Sequence, residues 1–212
     1  MIKGVLFDFD GVVVDSMQQH FQGWKTVLAG YGHDLQAGDF FIYEGAGVPN
    51  IARYISRKFD LGLEDHLPEI TEKVRSQYRH NKVLFFDGFW QVITLLKQKQ
   101  LPLGVVTGGS SRRVLATIAG HMEGVFDAVV TLEDVRHSKP HPDPYLRGAR
   151  KLARDPRECL VIENAPLGIT AARAAGCRVL AVQTTLPAEA LKEADHIVRD
   201  FREMRRVLKE LL

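Results

Sequence analysis

Residues 160–172 read LVIENAPLGITAA. A short, continuous apolar run ends on Glu163 and Asn164, a Pro-Leu-Gly turn follows, and an alanine-rich helical pattern begins. A run of that length suits a strand buried on both faces, and a strand handing over directly to a helix is half of a parallel βαβ unit. An acid and an amide at the carboxyl end of such a strand lie where open α/β sheets bind their ligands.

Other runs of the same kind recur along the 212 residues: GVLFDF (4–9), LPLGVVT (101–107), FDAVVT (126–131), CRVLAV (177–182) and HIV (196–198). Helical patterns over 88–99, 111–120, 144–153 and 166–175 separate most of them. Phe201, Met204, Val207, Leu208 and Leu211 mark a final amphipathic helix. The rhythm predicts an α/β fold with a doubly wound, mostly parallel, Rossmann-like sheet. Residues 15–82 break that rhythm with helical stretches around 17–29, 48–59 and 65–80 and no convincing strand. The division expected is therefore an α/β core of residues 1–14 and 83–212 and an inserted helical cap of residues 15–82, poised over the crevice as a lid.

Composition narrows the class. A hydrophobic share of 45% and a charged share of 25% describe a globular protein, and Lys+Arg 28 against Asp+Glu 26 gives no basic surplus for nucleic acid. The N-terminus lacks the order of a secretion signal and no apolar stretch approaches a membrane span, so the expectation is a cytoplasmic protein without membrane or nucleic-acid partners. A monomer is favoured. Cys159 and Cys177, each in a strand-like apolar setting, are expected in the core rather than in a disulfide or zinc site.

Four strand ends carry polar chemistry. In DFDGVVVDS (8–16), Asp8 and Asp10 fall on the same side of an extended chain before Gly11 turns it away. Paired carboxylates there call for a cation, and Mg²⁺ prefers oxygen ligands and bridges carboxylates to phosphate. In VVTGGSS (105–111), Thr107 offers a hydroxyl, Gly108 and Gly109 their amides, and Ser110 or Ser111 a cap for the next helix, an arrangement suited to an anion. In HSKPHPDPY (137–145) three prolines forbid a regular helix and hold Lys139 on a rigid loop as a point charge. His137 and His141 are four apart, but the intervening proline denies them the helical geometry that would bring them together, so solvated loop histidines are expected rather than metal ligands. Glu163 and Asn164 complete the set.

Together these four segments resemble, in order and spacing, the motifs of the haloacid dehalogenase-like phosphotransferase superfamily, in the branch with a helical cap after the first motif. The resemblance implies that Asp8 is the nucleophile that becomes an aspartyl-phosphate and Asp10 the acid-base residue. It implies that Thr107, Gly108, Gly109 and Lys139 hold the phosphoryl group. Mg²⁺ would sit between Asp8, Asp10 through its backbone carbonyl, and the side chain of Asn164, with Glu163 supporting that shell.

The chain departs from the common pattern by carrying Glu163-Asn164 where most capped relatives have two acids. Glu44, before the Gly45–Gly47 turn of FIYEGAGVPN, is a candidate to replace the missing charge from the cap. This pairing is similar to a bacterial inorganic pyrophosphatase branch close to the β-phosphoglucomutases. His20, near the hinge, is placed to touch Asp10, with Trp24 in the same neighbourhood, and Arg79 and Lys82 are possible ligands for a second phosphate. The implied function is a Mg²⁺-dependent phosphohydrolase acting on pyrophosphate or a small phosphate monoester. The alternative is a β-phosphoglucomutase-type mutase, disfavoured because Val48-Pro49-Asn50 stand where an arginine would follow the cap glycine, with Arg53 further on. A non-catalytic phosphate-binding module is remote, since Asp8, Asp10, Thr107 and Lys139 are all present.

Overall fold

The computed structural model describes residues 1–78 and 82–212. Its centre is a parallel sheet in the order β3-β2-β1-β4-β5-β6, formed by β1 (Gly4–Phe7), β2 (Leu103–Val106), β3 (Ala128–Val130), β4 (Cys159–Glu163), β5 (Arg178–Val182) and β6 (His196–Val198). Strand residues alternate between two buried faces. Val5, Phe7, Val105, Leu160 and Ile162 pack with Phe89, Val92, Phe201 and Met204, which come from α5 (Phe89–Gln98) and α9 (Phe201–Leu211). Leu6, Val106 and Val161 pack with Tyr145, Ala149, Ile169 and Ala172 from α7 (Asp143–Lys151) and α8 (Pro166–Ala174). Each fully buried large side chain contributes about 1.5–3 kcal/mol, so both layers are needed to hold the sheet.

The chain reverses its direction of travel across the sheet at β1, which pairs with β2 on one side and β4 on the other. Helix α6 (Ser111–His121) follows β2. Between β1 and β2 lie α1 (Met17–Ala29), α2 (Ala37–Phe41), α3 (Val48–Lys58) and α4 (Leu67–Gln77). Their shared interior is built on Trp24, Phe40, Ile51, Ile55, Ile70 and Val74, continuous with the α7 and α8 side of the core. Chain entry to and exit from this cap are stitched together: the Asp15 N–H donates to the Leu84 carbonyl at 2.8 Å, and the Gln19 side-chain amide pairs both backbone groups of Lys82, at 2.8 and 3.1 Å.

Strands β1, β2 and β3 are shorter than the apolar runs that contain them, because the end of each of these runs leaves the sheet. After Phe7, residues 9–14 curl so that the Val13 and Val14 N–H groups both donate to the Phe9 carbonyl, at 2.8 and 2.9 Å. Gly11 makes this possible with φ +83°, and a methyl group there would collide with the Asn164 amide. Helix α2 is additional to the helical stretches read from the sequence. Helix α7 also starts inside the proline-rich segment, with Pro144 accommodated in its first turn where no N–H is needed. Among the described residues, no helix is long and apolar enough to cross a membrane.

Candidate active site

The Asp8 N–H donates to the Ile162 carbonyl at 2.9 Å, which fixes the first motif directly beside the end of β4. Lys139 reaches the same point from the loop before α7. It is 1% exposed, and its ammonium donates to Asp8 Oδ1 at 2.5 Å and to Glu163 Oε1 at 2.7 Å. The lysine is thus a buried bridge between two carboxylates rather than a displayed surface charge. Glu163 is saturated: Oε1 also accepts from the Tyr145 hydroxyl at 2.8 Å, and Oε2 accepts the N–H groups of Asn164 and Ala165 at 2.8 and 3.0 Å. Its place is to hold Lys139 and the turn into α8.

Burial pushes the Asp8 carboxyl above its usual range, and the neighbouring Glu163 charge adds to this while Lys139 opposes it. Burial also works against ionisation of Asp10, yet the Arg113 guanidinium holds that carboxyl well below the usual range. Arg113 takes both carboxylate oxygens of Asp10, with Nη1 at 2.9 Å from Oδ1 and Nη2 against Oδ2. Ser16 donates to Oδ1 at 2.7 Å. His20 stacks on Tyr78 with ring centroids 4.1 Å apart and places Nε2 3.6 Å from Asp10 Oδ1. Burial lowers the His20 pKa to about 4, so the ring is neutral at ordinary pH.

The cap comes down on this centre. Glu44 is buried, and burial together with the charges of Asp10 and Asp8 pushes its pKa up to about 8. The Gly45 backbone lies against Gly108 so closely that a side chain at 108 would strike the Gly45 carbonyl. Asn50 of the cap donates to the Ser138 hydroxyl at 2.8 Å, next to Lys139. A cavity of about 560 Å³ remains between cap and core, lined by Asp8, Asp10, His20, Glu44, Tyr78, Thr107, Gly108 and Gly109, with the guanidinium-bearing Arg75, Arg112 and Arg113. The Thr107 hydroxyl accepts the Gly109 N–H at 2.9 Å.

The donor set suits a hard divalent cation. Asn164 anchors its Nδ2 on the Thr185 hydroxyl at 3.1 Å, which leaves Oδ1 buried with no hydrogen-bond partner among the described residues, and Glu44 Oε1 is buried in the same condition. Buried polar atoms are rarely left so without a ligand to take them. The charge count agrees: Arg113 matches Asp10, whereas Lys139 faces both Asp8 and Glu163, so a cation there offsets excess negative charge.

Several expectations need correcting. Lys82 is exposed and does not line the cavity, because its backbone is tied to Gln19 at the cap's exit. Arg79 lies outside the described residues. Ser110 stands at the N-cap of α6 but makes no side-chain capping bond, and the Ser111 N–H donates to the Glu133 carboxylate at 2.9 Å instead. His137 and His141, expected apart, meet with ring centroids 4.5 Å apart, because the loop folds back without needing a helix. Arg53 turns away to donate to Asn50 Oδ1 at 2.8 Å.

Arg113, Ser16, Tyr145, Tyr78 and Thr185 carry the geometry without having been singled out in the sequence. For Arg113 a signal exists: a cation in the first turn of a helix is unfavourable against the helix dipole, and the Arg112-Arg113 pair there implies an anionic partner nearby. Trp24 is fully buried and packs on Phe40, a core residue of the cap. Cys159 and Cys177 are buried free thiols, as expected.

Comparison with known proteins agrees with this geometry. The family model described as "Haloacid dehalogenase-like hydrolase" matches residues 5–182. The chain is 34% identical over 182 residues to "Fructose-1-phosphate phosphatase YqaB" of Escherichia coli (strain K12), covering 82% of this chain and 92% of that one. It is 31% identical over 217 residues to "Putative pyrophosphatase PpaX" of Caldanaerobacter subterraneus subsp. tengcongensis, covering 98% and 95%. The solved structure "Putative beta-phosphoglucomutase from Bacteroides vulgatus" superposes with a TM-score of 0.89 at 31% identity, covering 99% of this chain and 88% of that one. The chain belongs to the haloacid dehalogenase-like hydrolase family and is a phosphatase of that family.

Proposed function

We propose that this phosphatase is Mg²⁺-dependent, works through an aspartyl-phosphate on Asp8, and acts on a small compound with an anionic leaving group, inorganic pyrophosphate first among them. The observation that carries the reading is the fork of Arg113 on Asp10 at the cavity wall. With the Arg113 guanidinium holding its carboxyl well below the usual range despite burial, Asp10 has no proton to give a strongly basic alkoxide and serves water chiefly by orienting it. A phosphate leaving group needs little protonation, and its charge finds Arg113, Arg112 and Arg75 along the same wall.

In this reading the Asp8 carboxylate attacks phosphorus, a P–O bond forms and the bond to the leaving phosphate breaks. Lys139 holds the Asp8 carboxylate and offsets its charge, while the Thr107 hydroxyl and the Gly108 amide receive the phosphoryl oxygens, the Gly109 N–H being engaged in orienting the Thr107 hydroxyl. Asp10 then orients a water that attacks the same phosphorus, releasing phosphate and restoring Asp8. Asp8, the Asp10 carbonyl, Asn164 and, from the cap, Glu44 would hold Mg²⁺, which supplies charge compensation for the transferring group. Ser16 and Arg113 fix the Asp10 carboxylate, and the neutral His20 ring, stacked on Tyr78, stands 3.6 Å from it.

The relatives named above as a pyrophosphatase and as a fructose-1-phosphate phosphatase support hydrolysis and differ in substrate. The likeness to a structure named as a β-phosphoglucomutase supports the mutase alternative, but Arg53 is engaged with Asn50 and does not line the cavity. The deciding experiment is phosphate release from pyrophosphate against a panel of sugar phosphates and nucleotides, with and without Mg²⁺. Pyrophosphate is expected to give the highest kcat/KM. Preference for a neutral sugar monophosphate overturns the substrate assignment, and interconversion of β-glucose 1-phosphate and glucose 6-phosphate overturns the hydrolase reading.

A further inference from the structure

On the far side of the Lys139 loop, three side chains that the phosphatase chemistry does not use converge. His137 Nδ1 stands 3.0 Å from Asp143 Oδ2, and His141 Nδ1 stands 3.1 Å from Asp143 Oδ1. One ligand atom from each of the three residues lies within 4.8 Å of the other two. The Asp143 N–H lies 3.3 Å from the same His141 Nδ1, so backbone and side chains of the loop close on one point.

We propose that His137, His141 and Asp143 form a binding site for a borderline divalent transition-metal ion of the zinc class, separate from the Mg²⁺ centre. Two imidazole nitrogens and one carboxylate oxygen are a donor set that favours zinc, copper or nickel over magnesium. The spacing agrees. With metal–ligand bonds of about 2.0–2.2 Å, two ligands on one tetrahedral ion stand about 3.3 Å apart, close to the separations seen here. The proline-rich segment supports the site, since Pro140, Pro142 and Pro144 alternate with the residues that hold it and limit how far the loop can open. An ion here clasps the chain on both sides of Lys139, joining residue 137 before it to residues 141 and 143 after it. It therefore fastens the loop that holds the buried ammonium against Asp8 and Glu163.

The test uses the full chain freed of metal by a chelator and titrated with ZnCl₂ in excess MgCl₂, followed by calorimetry. The Asp8→Asn variant serves as background, so that zinc taken up at the aspartate cluster is reduced. One zinc per chain is expected at the loop, lost in the His137→Ala/His141→Ala double variant, with either single variant weakening affinity about tenfold or more. ¹⁵N spectra should show both Nδ1 resonances shifting together on zinc addition, and zinc should raise the melting temperature of the parent but not of the double variant. Equal zinc uptake by parent and double variant, or histidine resonances that titrate only with protons, overturns the proposal. Without zinc, the double variant made with Asp8 in place should retain the Mg²⁺-dependent turnover of the wild-type chain, which shows that its fold is intact.

Discussion

Arg113 grips Asp10 by both carboxylate oxygens, one contact at 2.9 Å and the other shorter, so a helix that follows β2 controls a residue that follows β1. Removing the guanidinium frees Asp10 to protonate and removes a cation from the cavity wall. Arg113→Gln is expected to lower kcat/KM for pyrophosphate about 10–100-fold, the scale of a lost charged hydrogen bond, and to affect neutral sugar phosphates much less. Steady-state kinetics on both substrate classes check this; an equal loss on both makes the arginine a structural partner of Asp10 alone.

Asp8→Asn should abolish turnover, by on the order of 10³-fold or more, since no other group stands where the covalent bond must form. The fold should persist, because Lys139 retains Glu163 as partner. Circular dichroism with a phosphate-release assay tests both halves, and activity like that of the parent removes the aspartyl-phosphate route.

Lys139→Met is expected to destabilise far more than a surface substitution. It leaves Asp8 and Glu163 buried side by side without their shared cation, and breaking a buried pair from one side costs about 3–5 kcal/mol. For a chain of this length that corresponds to a fall in melting temperature of about 10 °C. Glu163→Gln, which keeps the Tyr145 and backbone contacts available, should cost less.

Glu44 and His20 set opposite pH slopes in the chelated protein. The Glu44 pKa rises from 4.5 to about 8 on folding, so the native state binds a proton that the unfolded chain has lost. Stability then falls as pH rises through that window, with a limiting slope of about 1.4 kcal/mol per pH unit. The His20 pKa falls from 6.5 to about 4, so below 6.5 the unfolded chain binds the extra proton and stability falls as pH drops. The two windows overlap between 4.5 and 6.5, where the slopes offset, so melting temperatures against pH in a chelator should be level there and fall above it, and Glu44→Gln should lessen that fall.

The same residue links pH to metal. A protonated Glu44 is a poor Mg²⁺ ligand, so the Mg²⁺ concentration needed for half-maximal activity should fall as pH rises toward 8. In Glu44→Gln it should be higher and nearly insensitive to pH. Mg²⁺ titrations at several pH values measure this, and identical titrations for the two proteins separate Glu44 from the metal.

Much of this arrangement could be read from the chain. Continuous apolar runs ending in polar residues mark strands feeding one sheet edge, so the convergence of Asp8, Thr107 and Glu163 is legible from their positions at strand ends, and that of Lys139 from its rigid loop. What escaped depends on contacts between elements distant in sequence. Arg113 meets Asp10 across 103 positions, and Tyr145 meets Glu163 because α7 packs against β1, whose neighbour in the sheet is β4. Helix α2 is five residues long, too short for a hydrophobic period to show. His137 and His141 meet through a folded loop, which brings residues four apart together as well as a helix does and leaves no periodic trace in the sequence.

The neck that joins Asp15 to Leu84 and Gln19 to Lys82 makes the cap a cassette: its two ends leave the sheet at one point, so its interior can change without shifting the register of any strand. Substrate preference can then diverge by exchanging residues of the inserted helices while Asp8, Asp10, Thr107 and Lys139 stay in place, so long as the acid at 44 is kept. A cap transplanted at this neck from a relative with another preference should carry that preference with it.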